Sequence, residues 1–322
     1  MGFESSSEHF RHERAERKGL SKELLSFGVS YLDDSLLGIL PDDLILVGAP
    51  SGIGKTQFCV NMALANISNG KRVHFFALEA SQFEIERRLK WQILTTNFYG
   101  DKDRPRLGRP LLFDEWEVGM YEGLLDAYEA WAEKYCIDTF KGLNVFYKSH
   151  DFDVNKLIES VNYVASETDL IIVDHVHYFD WDDSNDNRAL KEIAKAARAL
   201  GKQNRKPIVL VSHLRKRDRK NEELAASLDE FHGSSDLTKI ATKVISIGPG
   251  GQAPGGGYFT YMRTAKNRHS GSSSRYLGQV VFDEKRGSYG SEYKIGWANT
   301  AKFSELAVFE RPSWMGRSSK QR

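Results

Sequence analysis

The chain has 322 residues, with 45 Lys+Arg against 44 Asp+Glu and a formal net charge of +1; 40% of its residues are hydrophobic and 28% charged. At roughly 100–200 residues per domain this is one large domain or two small ones, long enough to bury a core without staples and too apolar for wholesale disorder. The longest aliphatic runs, Leu44–Val47 and Leu170–Val173, fall far short of a membrane span. The charged start lacks the apolar stretch of a secretory signal, and Met1-Gly2 with Ser6 matches only a short, loose myristoylation pattern. The two cysteines, Cys59 and Cys136, have no metal-ligand spacing and make no disulfide framework. A reduced, cytoplasmic protein with no membrane partner is expected. Neutral net charge leaves nucleic acid open, because a local basic patch decides that question.

In chain order, residues 1–26 alternate acids with Arg11, Arg14, Arg17 and Lys18, many at helical spacing as in Glu13/Arg17. They read as a solvated helix or frayed tail, or as an arm that docks on a neighbouring subunit. Leu44-Ile-Leu-Val-Gly48 is a buried strand, 55–69 a helix and 73–78 the next strand. Residues 114–135 read as one long helix and 143–147 as a strand. Helix 154–164, strand 170–173, helix 190–200 and strand 208–211 follow. Strands of near-continuous apolar residues alternating with helices predict a mainly parallel α/β sheet covered on both faces. After residue 240 short strands at 243–247, 258–263, 278–283 and 291–295, with a glycine-rich turn at 248–257, predict hairpins extending one edge. There are no internal repeats and no clear linker, so residues 27–295 read as one domain, with a basic tail at 296–322.

The strongest chemical signal is Gly48-Ala-Pro-Ser-Gly-Ile-Gly-Lys-Thr56, between a predicted strand and a predicted helix. This is the setting of a phosphate-binding loop. Gly52 and Gly54 let backbone N–H groups curl round phosphate oxygens, and the helix start adds its positive dipole. Ser51, Gly52, Ile53, Gly54, Lys55, Thr56 and Gln57 are therefore candidate ATP-binding residues, Lys55 as a point charge and Thr56 as a Mg²⁺ ligand. One departure stands out: Ala49 occupies the position of the first glycine, with Gly48 one place early. Asp174 closes the 170–173 strand, where a carboxylate faces the ligand crevice and can serve the metal, or else caps a helix or loop. Glu79 sits at the tip of the neighbouring strand, placed either to orient the attacking water or as a surface or capping acid. His213, just past strand 208–211, is either structural or a sensor of phosphate.

These residues together resemble the RecA-like ATPase domain of ring-shaped replicative helicases of the DnaB and phage primase–helicase type. Ala49–Thr56 is similar to their Walker A, Phe75–Ser81 to the motif whose glutamate is the catalytic base, Asp174 to the Walker-B acid and Ser212–Lys216 to the third motif. His213 matches the phosphate-sensing position, Phe231–Leu237 the segment after the DNA loop, and Tyr261–Arg268 the strand carrying a Lys-x-Arg finger. The resemblance implies that Lys266 and Arg268 act on the ATP of the next subunit, and that Phe282 stacks on the base. Arg215, Lys216, Arg217, Arg219 and Lys220 would form the channel loop that tracks single-stranded DNA through its phosphates; on charge alone they also fit a solvated run. The segment Asp174-His-Val-His-Tyr178 departs from the family's usual pattern.

The resulting expectation is an ATP- and Mg²⁺-dependent DNA helicase working as a homo-oligomeric, hexameric ring, with a separate primase, polymerase or loader as partner. A RecA-like recombinase or regulatory ATPase on the same fold, and an ATP-gated replication scaffold without turnover, are the competing readings.

Overall fold

The computed structural model describes residues 5–181, 186–214, 225–231, 235–254, 256–269 and 276–297. Nine strands form one sheet: β1 Leu44–Ala49, β2 Val73–Ala77, β3 Leu143–Tyr147, β4 Leu170–Asp174, β5 Ile208–His213, β6 Lys243–Gln252, β7 Tyr258–Asn267, β8 Tyr276–Asp283 and β9 Ser288–Trp297. Their order across the sheet is β3-β2-β4-β5-β1-β6-β7-β8-β9. The six from β3 to β6 run parallel, and β7, β8 and β9 add antiparallel. This is the expected architecture, with the predicted hairpin extension on one edge.

The central parallel strands β1, β4 and β5 are almost wholly apolar and buried because both their faces are covered, whereas the edge strand β3 alternates partly buried with exposed positions. Along β1 the side chains alternate: Ile45, Val47 and Ala49 enter one core with Phe27, Phe58 and Phe75. Leu44 and Leu46 enter the other, with Phe152, Ile193 and Phe231. The helices in chain order are α1 Ser6–Glu23, α2 Ser30–Leu36, α3 Lys55–Ile67, α4 Glu84–Gly100, α5 Phe113–Glu117, α6 Asp126–Thr139, α7 Val154–Val164, α8 Asp186–Asn204 and α9 Ser235–Ile240. Helix α1 is almost wholly exposed, with an i,i+4 pair Arg17–Glu13 at 2.8 Å and an ion pair from Glu16 to Arg205.

Three expectations need correction. The long helix at 114–135 is two helices, because Gly119 (φ 80°) and Gly123 (φ 77°) take left-handed backbone between α5 and α6. No element is expected at Glu84–Gly100 from the sequence, yet α4 buries Ile85, Leu89, Leu94 and Phe98 at helical spacing. Residues 248–252, expected in the turn, extend β6, and strand 258–263 continues to Asn267. That extra length of β7 carries Lys266.

A buried ion pair ties the start of β1 to the start of β6. Lys243 Nζ lies 2.5 Å from Asp43 Oδ2, with side chains only 1% and 0% exposed. The ammonium also donates to the Gly38 carbonyl at 2.8 Å, and the Thr242 hydroxyl donates to Asp43 Oδ1 at 2.6 Å. Burial raises the Asp43 carboxyl's cost of ionising, but Lys243, Thr242 and the Leu40 N–H outweigh it and hold the group below the usual carboxylate range. Removing one partner leaves a buried charge alone, so Lys243→Met is expected to cost about 3–5 kcal/mol in urea unfolding at neutral pH. A depressed Asp contributes stability above its unfolded pKa of about 4, and loses it as pH falls through the folded value. The variant's deficit should therefore shrink on acidification below about pH 4.

Candidate active site

Four parallel strand ends meet at one edge. The loop Pro50–Gly54 leaves β1, Glu79 follows β2, Asp174 closes β4 and His213 closes β5. Register explains the meeting: Ala49 pairs with His213, and Ala77 with Asp174. Gly52 (φ 78°) and Gly54 (φ 84°) hold the left-handed backbone that turns the loop into α3. Gly48 has a different cause. A Cβ there would stand 2.3 Å from the Phe231 ring and 3.0 Å from Leu214. The early glycine thus serves packing under the loop, while the loop itself turns on Gly52 and Gly54.

Lys55 begins α3, and its ammonium bonds the Ala49 and Pro50 carbonyls at 3.2 Å each and His213 Nδ1 at 2.8 Å. Burial pushes this lysine down, and Asp174 and Glu79 pull it back. Ser51 Oγ also reaches His213 Nδ1 at 3.4 Å. Asp174 is 1% exposed, and neither carboxylate oxygen has a completed hydrogen bond. Burial raises its carboxyl to about 6, against the lowering influence of the Thr56 hydroxyl and of Lys55. An orphaned, buried carboxylate beside Thr56 is a donor set that fits Mg²⁺. Among the described residues no group of three or more His, Cys, Asp or Glu could hold a metal ion; a Mg²⁺ held by Thr56 and Asp174 would take its other oxygen ligands from phosphates and water. Glu79 is exposed and accepts the Tyr178 hydroxyl at 3.1 Å.

The sequence reading missed the histidines of the Asp174–Tyr178 segment. The His175 ring centroid lies 3.9 Å from that of His213 and 5.1 Å from that of His177. His177 Nε2 meets Ser212 Oγ at 3.2 Å. Burial, then the neighbouring histidines, drives His175 down to about 2; burial also lowers His177 and His213. The Lys55 ammonium can only donate, so His213 Nδ1 is the acceptor of their hydrogen bond. The spacing His175-Val-His177 was the available signal; only the fold shows that both rings adjoin His213.

A cavity of about 290 Å³ opens beside the loop, lined by Gly52, Ile53, Gly54, Tyr258, Phe282 and Tyr289 among others. It has the size and character of a slot for a base, with the Phe282 and Tyr258 rings on its wall. Gln57 is engaged elsewhere: its side-chain amide donates to the Gly287 carbonyl at 2.7 Å, pinning the β8–β9 turn to α3. Base stacking on an aromatic ring is worth about 1–3 kcal/mol. Phe282→Ala should weaken ATP binding about fivefold or more and leave binding of inorganic triphosphate unchanged, read by fluorescence titration.

Lys266 and Arg268 stand at the opposite end of the sheet. Lys266 pairs with Val244 in the β6–β7 register, Lys243 pairs with Ile45, and the Arg268 N–H donates to the Thr242 carbonyl. At roughly 3.3 Å per residue, that is well over 10 Å from the loop at Ala49. Neither reaches the phosphate loop of its own chain. Lys266 Nζ caps the Thr238 and Lys239 carbonyls of α9 at 2.7 and 2.9 Å, and Arg268 is exposed. The basic run Arg215, Lys216, Arg217, Arg219 and Lys220 lies outside the described residues, as does the tail from 298. No described helix is long and apolar enough to cross a membrane.

A family model described as AAA domain matches residues 11–219. The chain is similar to the replicative DNA helicase DnaB of Haemophilus influenzae, 28% identical over 195 residues, covering 58% of this chain and 38% of that protein. It is also similar to the DNA helicase/primase of Enterobacteria phage T3, 22% identical over 233 residues, covering 70% of this chain and 38% of that protein. The chain thus spans about two fifths of the length of these curated relatives. Among solved structures, one described as an ATPase domain superposes with a TM-score of 0.73 at 14% identity, covering 90% of this chain and 100% of that one. A DnaB-like replicative helicase, described with its interactions with primase, superposes with a TM-score of 0.68 at 14% identity, covering 90% of this chain and 67% of that one. The fold is the one these proteins share.

Proposed function

The chain belongs to the AAA domain family, and from that premise we propose that it is an ATP-hydrolysing, DnaB-like DNA helicase that translocates on single-stranded DNA as a hexameric ring. The observation that carries the reading is the convergence of Lys55, Asp174, Glu79 and His213 at adjacent strand ends around a glycine-turned phosphate loop. Lys55 exchanges its carbonyl and imidazole partners for β and γ phosphate oxygens. Thr56 and Asp174 would hold a Mg²⁺ ion, which when bound would neutralise phosphate charge. Glu79, exposed at the rim and oriented by Tyr178, takes the proton of the attacking water. His213 loses Lys55 as phosphate arrives and so registers whether the γ phosphate is present. The basic run that begins two residues later, at Arg215, grips DNA and shifts with that register.

Lys266 and Arg268 act on the nucleotide of a neighbouring subunit. Their position far from their own loop supports this assignment. Helix α1, exposed at most of its described positions, is the arm that docks on that neighbour. A separate primase, polymerase or loader would complete the assembly in the cytoplasm, or in host cytoplasm for a virus.

The test is ATP hydrolysis with and without single-stranded DNA, at protein concentrations spanning assembly. The reading requires stimulation that appears only above an assembly threshold. Turnover indifferent to DNA points instead to a regulatory ATPase. A DNA-stimulated enzyme that fails to separate a forked duplex is a recombinase-like filament former. Nucleotide binding with negligible turnover under every condition is the scaffold.

A further inference from the structure

A second cavity, of about 590 Å³, lies across the β8–β9 turn from the nucleotide slot, between the end of α4 and the segment 101–110 that follows it. Its lining includes Lys102, Arg104, Arg106 and Arg109, with Lys285 contributed by the turn. The segment Asp101-Lys-Asp-Arg-Pro-Arg-Leu-Gly-Arg-Pro110 is neither helix nor strand, and residues 102–110 are all exposed. Lys102 and Asp103 lie in a turn and Arg104 at a bend, with the Arg104 guanidinium donating to the Asp101 carbonyl at 2.9 Å; folded in this way the segment brings Lys102, Arg104, Arg106 and Arg109 to one groove.

Internal neutralisation of these charges is incomplete. Arg109 pairs with Glu115 at 2.8 Å, and Arg286 with Asp283 at 2.6 Å. Asp101 is engaged by the Tyr128 hydroxyl at 2.5 Å and the Asp103 N–H at 2.9 Å. Among the described residues, Lys102, Arg106 and Lys285 have no side-chain partner. The groove also has an aromatic platform. The Arg104 and Arg286 guanidinium groups lie 5.8 and 5.2 Å from the Tyr99 ring centroid, and the Tyr99 hydroxyl is fixed by the Leu111 N–H at 3.0 Å.

We propose that this groove is a binding site for single-stranded nucleic acid, distinct from the basic run at Arg215–Lys220. Guanidinium forks match phosphate oxygens in pairs, and the Tyr99 ring with the two guanidinium groups over it gives bases a surface. An acidic peptide would meet the same cations but leave the Tyr99 platform unused. The site also has a defined address. Lys285 belongs to the turn whose neighbours Phe282, Glu284 and Tyr289 line the nucleotide slot, and whose Gly287 carbonyl holds Gln57 next to Thr56. A strand in the groove therefore lies one β-turn from the bound nucleotide. The inference rests on the reading of the chain as a DNA-acting ATPase only for the identity of the polyanion.

The test is the full chain carrying Lys102→Glu and Arg106→Glu together, titrated with labelled oligothymidine across a salt series. A Lys134→Glu/Lys141→Glu chain provides a control of equal charge change at positions elsewhere. The groove variant should lose about tenfold or more in affinity at low salt, and its slope of log affinity against log salt should fall by about 1.4, for two phosphate contacts. ATP turnover without DNA should be unchanged. An unchanged affinity and slope, or an equal loss in the control, overturns the proposal. So does polyglutamate competing as well as a single strand of equal charge, which would assign the groove to an acidic peptide. An unaltered chain that binds no oligothymidine at all would bring down the helicase reading, and this one with it.

Discussion

Arg268→Ala is expected to abolish nearly all ATP turnover while leaving ATP affinity within about twofold. Arginine fingers supply roughly 10³–10⁵ in rate by stabilising charge that develops only in the transition state. Arg268 is exposed at the sheet end opposite the loop Pro50–Gly54 of its own chain, so under the proposed ring reading the loss is felt at a neighbour's nucleotide. Mixing distinguishes this from a folding defect. Chains with Arg268→Ala keep a complete Glu79 site, and chains with Glu79→Gln keep the finger. Combined above the assembly threshold, the two inactive proteins should recover turnover at the interfaces that pair one with the other. Full turnover by Arg268→Ala alone, or no recovery on mixing, refutes action in trans.

Glu79→Gln alone is expected to lower turnover by about 10²–10⁴, the usual contribution of a positioned general base. ATP binding, assembly and DNA binding should survive, because the side chain bonds the Tyr178 hydroxyl and is exposed. Steady-state hydrolysis and nucleotide titration on the same preparation make the comparison. A variant with undiminished turnover would return Glu79 to the role of a surface acid and shift the base to another group at the crevice. Tyr178→Phe offers a graded companion: it removes the oriented hydroxyl without touching the carboxylate, and a modest loss of turnover is the expected result.

The parts of the site legible in the sequence are those in which one short segment makes the whole feature. The phosphate loop is contiguous, so Gly52, Gly54, Lys55 and Thr56 declare themselves by spacing between a strand and a helix. Asp174, Glu79 and His213 were readable because each ends an apolar run, and a parallel sheet brings such ends to one edge. The same local reading failed where the cause lay elsewhere. Gly48 looked like a misplaced loop glycine, and its reason is the Phe231 ring, 183 positions on in a different element. The Gln57 side-chain amide holds the turn at Gly287, a contact between distant segments that no local pattern announces. The helix at 84–100 opens with the charge-dense Glu84-Ile-Glu-Arg-Arg88, which hid its buried stripe.

Local pattern in the chain was enough for the class of fold, the phosphate loop, and the strand-end acids and histidine beside it, because backbone periodicity and strand ends are properties of short segments. Whatever depends on distant residues meeting needed the folded molecule. Folding set His175 and His177 beside His213, joined Tyr258 to Phe282 in one slot and buried Lys243 on Asp43. It also set Lys266 and Arg268 away from their own loop and gathered Lys285 to the cations of 101–110. Such meetings follow from strand order and register, which no short stretch of sequence encodes; they are fixed only when the whole sheet closes around its two cores.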